Sequence, residues 1–250
     1  MLFIGNEVIE LKEIDSTNDY ALKALESSEI PEGTVIMADY QFKGKGQQGG
    51  FWESEPFKNL TLSLVLYPKF LPLDKQFYLN MAVSIAIYDL CANISEATRA
   101  EIKIKWPNDI LINNKKIAGT LIENSIAGNI FKHSVIGIGV NVNQTKFNHH
   151  SDGPISFKLL TNREYDLGKC RTTLFEALEK RYFQLRNNNL EEIYNEYLEH
   201  LYLFGEKKNF SIGEQIITGK ITGVTQAGNL ELSSSDGLIE LKSKDIKFLD

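Results

Sequence analysis

The residues of this chain that can do chemistry fall in a few short stretches. The sharpest is Gly44-Lys45-Gly46-Gln47-Gln48-Gly49-Gly50. Glycines let a backbone approach a ligand and turn several N–H groups toward an anion, and Lys45 adds a positive charge. No Gly-Lys-Ser/Thr closes the loop and no strand–loop–helix frames it, so it is neither a Walker loop nor a dinucleotide fingerprint. Taken alone it also reads as a flexible surface loop. Trp52 follows, either a core anchor or a stacking surface. Lys105-Trp106-Pro107-Asn108-Asp109 ends a strand in a turn. Asn108 and Asp109 there either face a cleft or form a plain turn after a core aromatic. In Lys115-Lys116-Ile117-Ala118-Gly119, adjacent lysines point to opposite faces, so one can face a pocket; a charged edge that blocks aggregation is the alternative. Gly137 and Gly139 lie on one face of a strand that runs on to Asn141-Val142-Asn143, which means a close approach or a bulge. Asp15-Ser16-Thr17-Asn18-Asp19 gathers small hydrogen-bonding side chains at a helix start, where they cap or bind.

The surrounding pattern says what positions these residues. A short strand is expected at 8–11, then a helix at 16–29 with a Ser16-x-x-Asp19 capping box. A strand at 34–39 leads into the glycine loop at 41–54. Residues 61–67 turn Leu62, Leu64 and Leu66 to one side, as in a half-buried strand. Residues 74–93 repeat apolar side chains at helical spacing. Strands follow at 101–106, at 110–112 and 117–123 around an Asn113-Asn114 turn, and at 130–141. Helix returns at 174–203, interrupted at 187–189. From 210 to 248 short β-rich runs are punctuated by glycines, which predicts a small all-β unit. We expect a boundary near Gly205 and a tail too small to stand far from the rest. Consecutive antiparallel strands between helices predict an α+β fold, not a doubly wound parallel sheet.

The chain has 250 residues with 27 Lys plus Arg against 33 Asp plus Glu, a formal charge of −6. Hydrophobic residues are 42% and charged residues 24%, which excludes disordered, collagen-like and coiled-coil classes. The acidic balance argues against a protein that coats DNA. The N-terminus has no signal-peptide pattern, and the apolar runs at 60–67 and 135–142 are short and interrupted, so no membrane partner is expected. Two cysteines, Cys91 and Cys170, make no disulfide framework and suggest a cytoplasmic setting. His133, His149, His150 and His200 lack metal spacing, and His149-His150 reads as a solvated loop.

Together, and in order, these stretches resemble the biotin protein ligases. Ser16-Thr17-Asn18 is similar to a Ser-Thr-Asn segment of that family. Gln41 with Gly44 to Gly49 and Trp52 is similar to its Gly-Arg-Gly-Arg-x-Gly loop and following Trp. Lys105 to Asp109 resembles its Lys-Trp-Pro-Asn-Asp stretch, the most specific of these. Lys116 to Gly119 with Leu121-Ile122-Glu123 resembles the segment bearing the family lysine, and Gly137 to Asn143 its Gly-x-Gly-x-Asn strand. The resemblance implies an α+β catalytic domain over 1–205, related to class II aminoacyl-tRNA synthetases, with a mainly antiparallel mixed sheet. It implies an SH3-like barrel over 206–250. The 15 residues before Ser16 are far below the roughly 40 of an independent domain, so a ligase without an N-terminal DNA-binding domain is expected, with no DNA partner.

The implied reaction has two halves. Biotin's carboxylate attacks the α-phosphate of ATP, giving biotinyl-5′-AMP and pyrophosphate. A lysine of a biotin carboxyl carrier protein then attacks the mixed anhydride. Lys116, Lys45 and Mg²⁺ brought with ATP would screen the meeting anions, with no fixed protein metal site. Asp109 would orient the carrier lysine. Ser16, Thr17, Asn18, Gln41, Gly44, Lys45, Gly46, Gln47 and Lys116 would surround biotin, with Gly119, Gly137 and Gly139 giving close approach to its tail. Lys45, Gln47, Trp52, Asn108, Lys116 and Asn141 would contact the nucleotide. A homodimer is allowed for. Lipoate ligases share the chemistry implied, and a non-catalytic biotin-binding module is the other alternative. The chain departs from the family at Lys45 and Gln47, where arginines are common. Lys loses the planar fork and Gln loses the charge, so looser retention of the adenylate is expected.

Overall fold

The computed structural model describes residues 3–95, 100–148 and 153–249. His149 and His150 lie outside the described residues. A seven-stranded sheet forms the larger part, in the order β1-β2-β3-β7-β6-β5-β4. The strands are β1 (Val8–Ile14), β2 (Val35–Gln41), β3 (Leu60–Leu66), β4 (Ile102–Lys105), β5 (Asp109–Ile112), β6 (Lys115–Ala127) and β7 (Ile130–Val140). β1 and β2 pair parallel; the other pairings are antiparallel. The mixed, mainly antiparallel α+β architecture therefore stands as expected.

The period of two along β3 decides how the layers stack. Leu62, Leu64 and Leu66 turn to the core that holds helix α2 (Phe77–Ser95) and helix α4 (Leu167–Arg186), while Val65 joins Ala21, Ile36 and Val135 beneath helix α1 (Thr17–Ser27). Every residue of β3 is buried, so the expected half-buried strand is corrected: helices cover both faces. The stretch Leu73–Ile94 is long and apolar enough to cross a membrane, yet most of its apolar window is buried against the sheet and the other helices. The run at 61–67 stood out by alternation; α2 is longer and more apolar because it is buried almost all round.

The interruption expected at 187–189 separates two helices, α4 and α5 (Leu190–Glu199), with Asn188 at φ 61° between them. α4 starts seven residues earlier than its apolar spacing suggests, because Asp166 accepts from Lys169 N–H at 2.9 Å and caps a polar first turn. A short helix α3 (Phe157–Thr161), capped by Ser156, has no apolar period long enough to announce it. Arg181 of α4 is buried and ties Asp89 of α2 to Glu196 of α5 at 2.6–2.9 Å, a charge cluster that joins the three helices. Asn113 and Asn114 take φ of 50° and 62° in the tight turn between β5 and β6.

The tail forms a second sheet of five strands, β11-β10-β9-β8-β12, from β8 (Lys207–Ile212), β9 (Gln215–Val224), β10 (Leu230–Ser234), β11 (Gly237–Leu241) and β12 (Ile246–Phe248). It shares one core with the larger part. Trp106 is the strut: it is buried and its Nε1–H donates to Gly228 O at 3.0 Å. Gly228 sits at φ 94°, and a Cβ there would lie 2.5 Å from Phe77. Trp106 is thus a core aromatic, and its neighbours Lys105 and Asp109 are the ones that face a cleft.

Candidate active site

The register of β3, β7 and β6 builds the site. Thr61 pairs with Gly139 and Gly139 with Gly119; Ser63 pairs with Gly137 and Gly137 with Leu121. One face of three adjacent strands therefore carries small residues, Thr61, Gly139 and Gly119 in one row and Ser63 and Gly137 beside Leu121 in the next, and α1 lays its N-terminal residues across them. The result is a small cavity of about 50 Å³ whose walls include Ser16, Thr17, Asn18, Gln41, Gln47, Gly119, Gly137 and Gly139. Beside it opens a cleft of about 780 Å³ between the glycine loop, the β4–β6 strands and the tail sheet. Phe51, Trp52, Lys105, Asp109, Asn141, Tyr202 and Lys208 are among its walls.

Trp52 and Lys116 border both spaces. Lys116 Nζ lies 2.8 Å from Asp109 Oδ1 and 5.6 Å from the Trp52 ring centre. Lys116 is partly buried and Lys115 exposed, as the strand alternation requires.

Polar side chains of the small cavity are linked by hydrogen bonds. Thr17 N–H and Oγ1–H both reach Gln41 Oε1, at 2.7 and 3.0 Å. Asn18 Nδ2–H donates to Glu123 Oε2 at 2.8 Å. Ser63 Oγ lies 2.7 Å from Thr17 Oγ1 and 2.5 Å from Asn18 Oδ1. Ser16 Oγ accepts from Asp19 N–H at 3.4 Å, which is half of the expected capping box. In place of the other half, Ser16 N–H donates to Asp15 Oδ1 at 3.0 Å, and the Asp19 carboxylate is bound to Lys45 at 2.6 Å. That bond raises the Lys45 pKa against the cost of burial.

Several expected roles change. Gly44 lines neither space. A Cβ there would sit 2.5 Å from Trp52 O, so it serves to close the loop, where Trp52 N–H donates to Gly44 O at 2.9 Å. Gly137 and Gly139 line the small cavity, and their missing side chains also serve the packing around it. A Cβ at Gly137 would lie 2.5 Å from Asn18 Oδ1, and one at Gly139 would strike the Trp52 indole. The two glycines make room for Asn18 and Trp52. Asn108 lines the small cavity, not the large cleft, and its amide donates to Thr120 O, which braces β6. Asn141 does line the large cleft; its Nδ2–H donates to Ile155 O at 3.1 Å, and its buried Oδ1 has no partner. Lys45 is held to α1 and borders only the small cavity. Among the described residues, no group of three or more His, Cys, Asp or Glu could hold a metal ion. Ser63 and Glu123 were not singled out by spacing. The one signal for Ser63 is a hydroxyl on the face opposite three leucines in a fully covered strand.

Residues 10–141 match the family model described as the biotin/lipoate A/B protein ligase family. The chain belongs to this family. It is 29% identical over 247 residues to the bifunctional ligase/repressor BirA of Bacillus subtilis, covering 98% of this chain and 74% of that protein. It is 28% identical over 242 residues to the biotin–[acetyl-CoA-carboxylase] ligase of Paracoccus denitrificans, covering 95% and 99%. The biotin protein ligase of Aquifex aeolicus, solved in complex with biotin and ATP, superposes with a TM-score of 0.80 at 25% identity, covering 98% and 99% of the two chains. The family's sheet thus carries both spaces here, joined at Lys116.

The glycine at 139 gives a test of this packing. Gly139→Ala should push Trp52 out of place at a cost of about 1–3 kcal/mol, as overpacking does. We expect a lower Tm and altered indole emission from a chain with only 2 tryptophans. Unchanged Tm and emission would show that Trp52 does not pack there.

Proposed function

We propose that this chain activates biotin as biotinyl-5′-AMP and transfers it to a lysine of a biotin carboxyl carrier protein. The observation that carries the reading is the place of Lys116, at the point where a small polar cavity meets a cleft large enough for a nucleotide. A carboxylate held at the mouth of the first and an α-phosphate held in the second meet beside its ammonium. Two anions repel as they approach, and a fixed cation at that point lowers the barrier more than it tightens binding.

The polar cavity suits a ureido ring. Gln41 Oε1 is occupied by Thr17, so its amide N–H groups are free for a ligand carbonyl. Among the described residues Ser16 Oγ acts as an acceptor, from Asp19 N–H, which leaves its hydroxyl hydrogen for a ligand. Buried polar groups left unmatched are costly, so the cavity disfavours a dithiolane or a plain acyl end. In the cleft, Trp52 offers a ring face, and the free Asn141 Oδ1 needs a donor such as an exocyclic amine or a ribose hydroxyl. Mg²⁺ would arrive with the triphosphate and supply charge screening; Asp109 and Glu53 are the carboxylates lining that cleft. When Lys116 turns to the anions, Asp109 is released at the cleft surface, where it can receive the carrier's lysine. Lys45, tied to Asp19, acts on the loop's position over biotin more than on the phosphates. The chain divides in this reading into a catalytic unit, 1–205, and a tail unit, 206–250, whose Lys208 and Leu249 line the cleft. Two free buried cysteines fit a cytoplasmic setting.

The test is biotin-dependent exchange of labelled pyrophosphate into ATP, followed by transfer of biotin to a carrier domain. Biotin should support both steps and lipoate neither. Exchange that ignores biotin, or that lipoate drives better, would sink the reading. The neutral Gln47 on the cavity wall adds a second expectation. Gln47→Arg should slow the escape of biotinyl-AMP several-fold, roughly the gain of one charge-assisted contact. Equal escape rates in the two proteins would remove Gln47 from adenylate retention.

A further inference from the structure

We propose that Ser63 and Glu123, neither of which borders the small cavity or the large cleft, are positioning residues that fix Asn18 and Thr17 for recognition of a ring bearing N–H groups. The inference rests on the biotin reading and deepens it. Ser63 is fully buried in β3 and Glu123 lies at the edge of the same sheet face in β6. Both reach Asn18, which does line the small cavity.

Counting hydrogens fixes the arrangement. Both N–H bonds of Asn18 Nδ2 are committed, to Glu123 Oε2 at 2.8 Å and to Leu121 O at 3.3 Å. A carboxylate has no hydrogen to give, so the amide cannot be turned round. Asn18 Oδ1 therefore faces Ser63, and the 2.5 Å contact takes the Ser63 hydroxyl hydrogen. Thr17 then has one hydroxyl hydrogen for two oxygen neighbours, Ser63 Oγ at 2.7 Å and Gln41 Oε1 at 3.0 Å. Gln41 Oε1 is already served by Thr17 N–H at 2.7 Å. The cluster of four oxygens is one hydrogen short. A ligand N–H entering beside Thr17 and Asn18 supplies it, and a ureido ring carries two such groups. A dithiolane carries none. Gly137 completes the clamp, since a Cβ there would displace the Asn18 amide.

Glu123 also faces Lys45 and favours its charged form, so removing the carboxylate touches two things. Glu123→Gln keeps an acceptor for Asn18 and removes the charge; Glu123→Leu removes both. In the pyrophosphate-exchange assay, Glu123→Leu should raise the KM for biotin about tenfold while the KM for ATP stays within about twofold. Glu123→Gln should return the biotin KM to within about threefold of the parent. Ser63→Ala, which deletes a single buried oxygen, should raise the biotin KM in the same selective way and carries the test if Glu123→Leu fails to fold. The proposal is overturned if these variants leave the biotin KM unchanged, if Glu123→Gln is as impaired as Glu123→Leu, or if both KM values rise together. A parent protein with no biotin-dependent exchange would instead overturn the functional reading on which the proposal stands.

Discussion

The structure depends on a sheet that must satisfy two faces at once. Along β3 and β7 the alternate side chains pack under α2 and under α1, so no face is left to water. A covered face can hold a cavity only where bulk is given up in register. Gly119, Gly137 and Gly139 do this on adjacent strands, opposite Thr61 and Ser63. Polar side chains from the start of α1 then fill part of the space and leave the rest for a ligand. The same period of two that builds the core thus builds the site.

Charge is arranged as sparingly as bulk. A net charge of −6 leaves the few cations near the site conspicuous. Lys45 and Lys116 each have an acidic partner, Asp19 and Asp109, at 2.6 and 2.8 Å. Both pairs are partly exposed, so they add little to stability, and their value lies in where they hold the ammonium groups. Lys45 pins the glycine loop to α1. Lys116 stands between the two spaces with Trp52 beside it.

Much of this was legible in the sequence, for physical reasons that differ by region. β3, α2 and the β5–β6 turn announced themselves because a clean period or an Asn-Asn pair leaves little choice. Lys116 and Asp109 could be nominated because strand alternation and a family resemblance agree on them. α3 and the start of α4 were silent because capping by Ser156 and Asp166, not apolar spacing, sets them. The glycines at 137 and 139 were recognised as spacers, but sequence cannot say what occupies the space; here it is Asn18 and Trp52. Pairings between distant residues, Lys45 with Asp19 or Ser63 with Asn18, have no local signature at all. Gly44 and Asn108 show that a motif residue can also serve the loop or strand that carries the site.

The central claim is that Lys116 acts on the chemical step at the junction of the two spaces. The most direct measurement compares Lys116→Ala with the parent protein in two ways, by the rate of biotinyl-AMP formation and by calorimetric titration with ATP and with biotin. The account predicts a loss of adenylate formation of about a hundredfold or more, the scale seen when a transition-state contact is removed, with ATP binding weakened only a few-fold. Adenylate formation at the parent rate, or a loss wholly matched by weaker ATP binding, would contradict it.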